Sequence, residues 1–311
     1  MRVFLAGATG VIGRGLLPML LAEGHHVTAM TKSPEKVEAL RAAGAEPVLA
    51  DAFDAAAVEA AVTGARPQAI INQLTSIPHR IEPRKIERDF ELNDRLRGEG
   101  TRILVRAAQA ADGARVIAQS IAFAYAPGPH GTLHREQDPQ LLDLAPSDFR
   151  RSARAIADLE SAVLGAGGIV LRYGYFYGPG SAISRTGSMG EDVARRRLPI
   201  VGGGGGVWSF IHVDDAARAT VAALSLERSG TYNVVDDEPA PVSQWLPALA
   251  DALGAKRPRR VPAFVARLLA GDYGVATMTR AQGASNELAK RELGWLPEHP
   301  SWREGFRSGL G

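Results

Sequence analysis

The sequence predicts a doubly wound α/β fold, a parallel sheet with helices on both faces, followed by a smaller C-terminal substrate-binding lobe. Three observations carry this. Short apolar runs of strand length alternate with stretches of helical period through the first half of the chain. A glycine-rich turn, Gly7-Ala8-Thr9-Gly10-Val11-Ile12-Gly13, joins the first strand to the first helix. Beyond Tyr177 the pattern breaks into short pieces separated by proline and glycine, including the run Gly202 to Gly206.

Taken in order, residues 3–6 form a strand, and residues 11–23 carry helical periodicity that Gly24 ends. A strand at 26–30, a helix at 33–43 and a strand at 47–50 follow. Next come a helix at 54–62, a strand at 68–73, a long polar helix filling much of 82–111, and a strand at 115–119. A helix at about 148–165 leads into a strand at 169–173. The remaining expected elements are a strand at 208–212, a helix at 214–226, a strand at 231–235 and small helices in the last third. The implied division is a dinucleotide-binding region over 1–177, to which 208–236 returns, with 178–207 and 237–311 forming the substrate lobe.

Composition narrows the chemistry. The chain has 311 residues, enough to bury a large core, and a formal charge of +2. That balance argues against a dedicated nucleic-acid or polybasic membrane binder. There is no Cys, which removes thiol nucleophiles, disulfides and thiolate-held metals. No apolar run is long enough to span a bilayer, and Gly interrupts the N-terminal apolar stretch too early for a secretory signal. A cytoplasmic protein is therefore expected, as monomer or homodimer, the long helix at 82–111 being a possible dimer face. The basic runs 195–197 and 256–260 read as solvated faces, the first able to meet an anionic substrate group.

Between a first strand and a first helix, glycine permits a tight turn and lets backbone N–H groups approach a diphosphate at the positive end of the helix. The turn therefore points to a Rossmann-type cofactor site formed by Gly7, Thr9, Gly10, Val11, Ile12 and Gly13. An acidic residue after the second strand would bond a ribose 2′-hydroxyl and repel a 2′-phosphate. Here the segment is Met30-Thr31-Lys32-Ser33, with one cation, two hydroxyls and no carboxylate. It favours NADP(H), with Thr31, Lys32 and Ser33 around the 2′-phosphate. Asp51 and Ala52, after the third strand, stand where an adenine amine would be met, although Asp51 could equally cap the next helix.

Further stretches carry a resemblance. Leu171-Arg172-Tyr173-Gly174-Tyr175-Phe176-Tyr177-Gly178-Pro179-Gly180 is similar to the "LRP…YGPG" stretch of the extended, epimerase/dehydratase-like branch of the short-chain dehydrogenase/reductases. Phe210-Ile211-His212-Val213-Asp214-Asp215-Ala216, Gly230-Thr231-Tyr232-Asn233-Val234 and Lys290-Arg291-Glu292-Leu293-Gly294-Trp295 resemble its "FIHVDDVA", "GxYNV" and "KxxLGW" stretches. The resemblance implies cofactor contacts from Gln73, Leu74 and Thr75, and a nicotinamide-side wall from Tyr173, Tyr175 and Phe176. It also implies a catalytic Tyr-x-x-x-Lys, whose ammonium lowers the phenol's pKa so that it can pass a proton opposite the hydride. Residues four before the lysines are Thr28, Lys32, Ile81, Ala252 and Asn286, so no Tyr-x-x-x-Lys exists in the chain. Registering the helix on Glu160 places Ser152 and Ile156 at the two positions. Only the family's hydroxyl at Ser120 survives, able to hold a substrate carbonyl.

Other donors considered are Tyr125, which with Ser120 forms the expected catalytic pair, then Tyr175, Tyr177, His130 and His134. No metal site is expected: Gly131 and nearby prolines disfavour a helical pair of His130 and His134. Asp214 is expected to cap a helix. The leading expectation is an NADP(H)-dependent reductase of a small-molecule carbonyl, such as an aromatic polyketide ketone whose own phenol steadies the developing alkoxide. Atypical natural-product ketoreductases of this branch lack the pair, so antibiotic biosynthesis is the expected setting. The alternatives are a catalytically silent NADP(H)-binding sensor and a sugar-nucleotide epimerase or dehydratase.

Overall fold

The computed structural model describes residues 1–82, 85–129 and 131–311. Seven strands make one parallel sheet: β1 (Arg2–Ala6), β2 (His26–Thr31), β3 (Glu46–Leu49), β4 (Ala69–Asn72), β5 (Arg115–Ile121), β6 (Ile169–Tyr173) and β7 (Gly230–Val234). Their spatial order is β3-β2-β1-β4-β5-β6-β7. The order reverses at β1, which pairs with β2 on one side and β4 on the other. The crevice beyond the carboxyl ends of β1 and β4 is therefore the position where ligands enter open α/β sheets.

Period-two alternation explains the layers. Val3 and Leu5 of β1 join Ala29, Ile71, Ile117 and Leu171 in the core beneath helices Val11–Ala22 and Val213–Ala222. Phe4 and Ala6 point the other way, with Met30, Ile70, Val116 and Val170, under helices Ala55–Ala65, Thr101–Ala110 and Arg150–Gly165. A third, aromatic-rich core collects Tyr177, Trp208, Phe210, Trp245, Trp302 and Phe306 from the second half of the chain. No helix among the described residues is long and apolar enough to cross a membrane.

The strand expectations hold to within a residue or two, with instructive exceptions. The long helix at 82–111 is broken into Ile86–Asp89, Glu91–Arg95, a π-helical turn Leu96–Gly100 and Thr101–Ala110. Its polar residues are not all solvated: Asn93, Asp94 and Arg97 are buried. The strand at 208–212 splits at Ser209 into Val207–Trp208 and Phe210–His212. The short strand Tyr175–Tyr177, which pairs with Phe210–His212, was not anticipated. His212, rather than Asp214, caps helix Val213–Ala222: its Nδ1 accepts the Asp214 N–H at 3.2 Å. Asp54 caps Ala55–Ala65 by accepting from Ala57 N.

Candidate active site

The glycine turn is held by close backbone approach. Gly7 has φ +97°, and a Cβ there would lie 2.6 Å from the Gln73 carbonyl oxygen. A Cβ at Gly13 would come within 2.2 Å of the Gly7 carbonyl, so the first helix turn can lie on the loop only with glycine at this position. Gly10 is the N-cap of Val11–Ala22 and supplies no side-chain cap. The first helical N–H groups thus remain available to an outside acceptor. Ile12 packs into the core and Val11 is exposed, so of the expected turn residues only Thr9 offers a side-chain hydroxyl.

The end of β2 supplies the charge. Lys32 is exposed and Ser33 half-buried, with no cap bond from the Ser33 hydroxyl. Thr31 is buried and its Oγ1 accepts the Ser33 N–H at 3.2 Å, so it shapes the turn rather than presenting a free hydroxyl. Lys36, not singled out in the sequence, comes to 3.4 Å from Thr9 Oγ1. Two lysines and two hydroxyls therefore gather beside the glycine turn. Asp51 is exposed and closes a turn by accepting from Phe53 N at 2.9 Å, while Ala52 is buried beneath it. The helix cap expected of Asp51 is made by Asp54.

The loop after β4 completes this half. Gln73 N donates to the Ala6 carbonyl at 2.8 Å, and Leu74 N to Asn72 Oδ1 at 3.1 Å. Gln73 Nε2 donates to Tyr173 Oη at 3.1 Å, but its buried Oε1 has no partner. Thr75 is exposed at the crevice. Open helical N–H groups, a cradle that any Cβ would fill and an orphaned buried acceptor together fit a dinucleotide at the sheet's switch point.

The expected catalytic half is built differently. Ser120 is 1% exposed and donates to Glu160 Oε1 at 2.6 Å. Glu160 is also gripped by Arg172, with Nε to Oε1 at 2.9 Å and Nη2 to Oε2 at 2.5 Å, and it accepts from Gln140 Nε2. Tyr125 donates to Asn233 Oδ1 at 2.6 Å and accepts from Arg172 Nη1 at 2.8 Å. Burial pushes its phenol up to about 12, although the Arg172 guanidinium opposes the shift. The two residues expected to form a catalytic pair, Ser120 and Tyr125, thus share one network through Arg172 and Glu160. Both hydroxyl protons are committed to a closed ionic network that ties β5, β6 and helix Arg150–Gly165 together.

Other expected groups are similarly placed. Tyr173 is fully buried, bonded to Gln73 and to Thr220 Oγ1 at 2.6 Å. Tyr177 is fully buried and its phenol is driven above the ordinary range by desolvation. His134 is buried, stacks on Tyr125 at 4.7 Å and meets Asp138 at 3.1 Å. His130 lies outside the described residues. His212, Asp214 and His299 place ligand-type atoms within 4.8 Å of one another, but the Nδ1 lone pair of His212 serves the helix cap.

Ser152 and Ile156 are both buried on helix Arg150–Gly165. Ser152 donates to Asp94 Oδ2 at 3.0 Å, an oxygen shared with Arg151 Nε at 3.0 Å. Ile156 packs with Ala124, Ala145, Phe149 and Ala153. Neither side chain can supply a phenol or an ammonium. Facing them is an aromatic wall. Tyr175 is half-buried, stacked at 4.1 Å on Phe123 and at 3.8 Å on Trp208. Tyr273, from helix Ala263–Thr279, stacks on Phe149 at 4.0 Å. Phe176 is half-buried beside Tyr173.

The pattern of the NAD dependent epimerase/dehydratase family matches residues 3–235. The chain belongs to that family. A Streptomyces member of similar sequence, a 3-diazoavenalumate denitrifying reductase, is 46% identical over 314 residues, covering 98% of this chain and 99% of its own. A ketoreductase of Stigmatella aurantiaca, acting on a 4-hydroxy-2-methyl-3-oxo-4-farnesyl-dihydroquinoline oxide, is 43% identical over only 49 residues, 16% of this chain and 15% of its own. Among solved structures, the UDP-glucose 4-epimerase of Thermotoga maritima with UDP-glucose superposes with a TM-score of 0.77 at 22% identity, over 100% of this chain and 97% of that one. A human epimerase family protein with NADPH gives 0.74 at 19%, over 100% and 99%. At these identities the epimerase/dehydratase structures establish the shared fold.

Proposed function

We propose that this protein is an NADPH-dependent reductase that delivers hydride to a small aryl diazo substrate, releasing dinitrogen. The observation that carries the reading is the commitment of Ser120, Tyr125 and Ser152 to structural partners, with Ile156 beside them. These positions offer no poised proton donor to a developing alkoxide. An aryl diazonium needs none: hydride forms the new C–H bond, the C–N bond breaks, and the electron pair leaves with N2. The similarity to a denitrifying reductase along the whole chain supports that chemistry.

The bound NADPH would supply the hydride. Gly7, Gly10 and Gly13 with the N–H groups of the first helix turn would hold its diphosphate, and Gln73 Oε1 would accept from a ribose hydroxyl of the cofactor near the β4 loop. Lys32, Lys36, Thr9 and Ser33 would hold the 2′-phosphate, and Asp51 the adenine amine. Phe123 and Phe176 would exclude water around the transferring carbon, with Tyr175 held between Phe123 and Trp208 behind them. A second reading, reduction of an aryl ketone with antibiotic or polyketide chemistry, is favoured by the local likeness to the ketoreductase. The substrate's own phenol would then steady the alkoxide.

The purified protein should oxidise NADPH with an ortho-hydroxyaryl diazonium salt, release N2 and leave aryl ketones and UDP-sugars unchanged. Consumption of NADPH with ketones alone would move the assignment to the second reading. Tight NADPH binding without turnover of any carbonyl or diazo compound would make it a sensor.

A further inference from the structure

Two basic runs that are far apart in sequence form one face of the folded chain. Arg196 Nε donates to the Arg257 carbonyl at 2.9 Å. Ile200 N donates to the Arg259 carbonyl at 2.8 Å, and the short strands Ile200–Val201 and Arg260–Val261 pair in parallel beside them. Residues 195–197 and 256–260 therefore stand side by side, and every cation in them is exposed. Arg195 has a carboxylate, Glu191 at 3.1 Å. Arg196, Arg197, Lys256, Arg257, Arg259 and Arg260 make no ion pair among the described residues. The adjoining helices offer little to balance them. Glu191 and Asp192 are bound by Arg80, and Asp272 by Arg267, which leaves Asp251. On a chain of formal charge +2, a face this positive leaves the rest of the molecule net acidic.

The same face carries apolar side chains that stand out from the protein. Arg260–Val261 runs through Pro262 into helix Ala263–Thr279, whose first turns present Phe264, Leu268 and Leu269 at 73%, 69% and 62% exposure. Helical spacing sets residues 264 and 268 one above the other, with 269 alongside. Ala266, on the opposite side, is buried in the aromatic-rich core and anchors these turns. Regular helical geometry is interrupted at Gly271, with φ +71°, so the exposed turns are set apart from the turn that carries Tyr273. An apolar cluster of this size beside concentrated charge marks a surface that meets something else.

We propose that this face docks on an anionic phospholipid bilayer, with the cations on the headgroup phosphates and Phe264, Leu268 and Leu269 seated between the headgroups. Charge excludes a second copy, because two such faces would repel each other. Nucleic acid would engage the cations but leave the leucines in water. A lipid surface satisfies both sets at once: phosphates meet guanidinium forks, and the interfacial region accepts apolar side chains. A fluid interface also needs no matching pockets for protruding side chains, as a folded protein partner would. Neither signal holds a protein to a membrane alone, so the attachment is peripheral and reversible.

The test is sedimentation of the purified protein with vesicles of phosphatidylcholine, either pure or containing about one-third phosphatidylglycerol. At about 50 mM salt the protein should partition onto the anionic vesicles at least about 10-fold more strongly than onto the neutral ones, and leave them at about 500 mM salt. Replacing Arg257, Arg259 and Arg260 together with Glu should weaken that partitioning by about 100-fold. Phe264→Ser with Leu269→Ser should weaken it by about 10-fold and leave retention on heparin, which reads charge alone, unchanged. All five side chains are exposed, and an unchanged melting temperature reports that each variant folds. No binding to anionic vesicles would overturn the proposal and leave an acidic protein as the occupant. Equal binding to both kinds of vesicle, or undiminished vesicle binding by either variant, would overturn it as well.

Discussion

The two halves of the crevice have diverged to different degrees. On the β1–β2 side the backbone geometry of a dinucleotide site is kept, with glycines at the positions where a side chain would collide with Gln73 or Gly7. On the β5–β6 side the hydroxyls have been drawn into an ionic network around Glu160 and Arg172. Cofactor binding depends on backbone N–H groups and loop shape, which tolerate little change. Acid chemistry depends on a few side chains, which can be replaced once the substrate no longer needs them. The difference teaches that family membership and catalytic machinery are separately encoded.

The comparison breaks most visibly at Arg172. Its side chain is 7% exposed and Glu160's 5%, so the pair is desolvated and removing one partner strands the other. Arg172→Met should lower unfolding free energy by about 3–5 kcal/mol in urea titration. A loss of turnover with stability unchanged would instead restore a catalytic role to the network. On the cofactor side, replacing Lys32 and Lys36 together with Ala should weaken NADPH binding by about 10- to 100-fold and leave NADH binding unchanged. Equal losses for the two cofactors would refute the 2′-phosphate assignment.

A pH effect should separate the His212 cap from both halves. Burial and the neighbouring His299 hold the imidazole below its ordinary value, so the folded state binds a proton less readily than the unfolded chain. Stability should be full above about pH 6.5 and fall as pH drops from there toward the folded value. His212→Asn, which keeps an acceptor for the Asp214 N–H, should flatten that dependence in thermal melts across pH 5 to 7.5. The smallest effect is expected at Ser152. Ser152→Ala should cost about 1 kcal/mol through Asp94 and change kcat by less than about threefold. A drop of 100-fold would show that the hydroxyl moves a proton after all.

The sheet was legible in the sequence because strand-length apolar runs and a glycine turn are local signals. The glycine turn was legible for the same reason, whereas Lys36 reaches Thr9 only once a helical turn brings it back. The network on the β5–β6 side was not. Ser120, Tyr125, Glu160 and Arg172 are far apart in sequence, and only strand pairing shows that their protons and charges are mutually satisfied. Arg97 sits in a stretch so rich in charge that a solvated helix was the natural expectation; the π-helical turn and the helices packed over it bury the side chain. Tyr273 was missed because its segment reads as alanine-rich helix, with nothing in the spacing to connect it to Phe149.

Isotope transfer tests the central claim most directly. The protein would be given NADPH carrying deuterium at C4 of the nicotinamide, in separate experiments for each face, together with an ortho-hydroxyaryl diazonium salt. One face should deliver a single deuterium to the ring carbon that bore nitrogen, with one N2 and one NADP⁺ per turnover, in wild-type and Ser152→Ala protein alike. Product with hydrogen from water at that carbon, or no product at all, would contradict it.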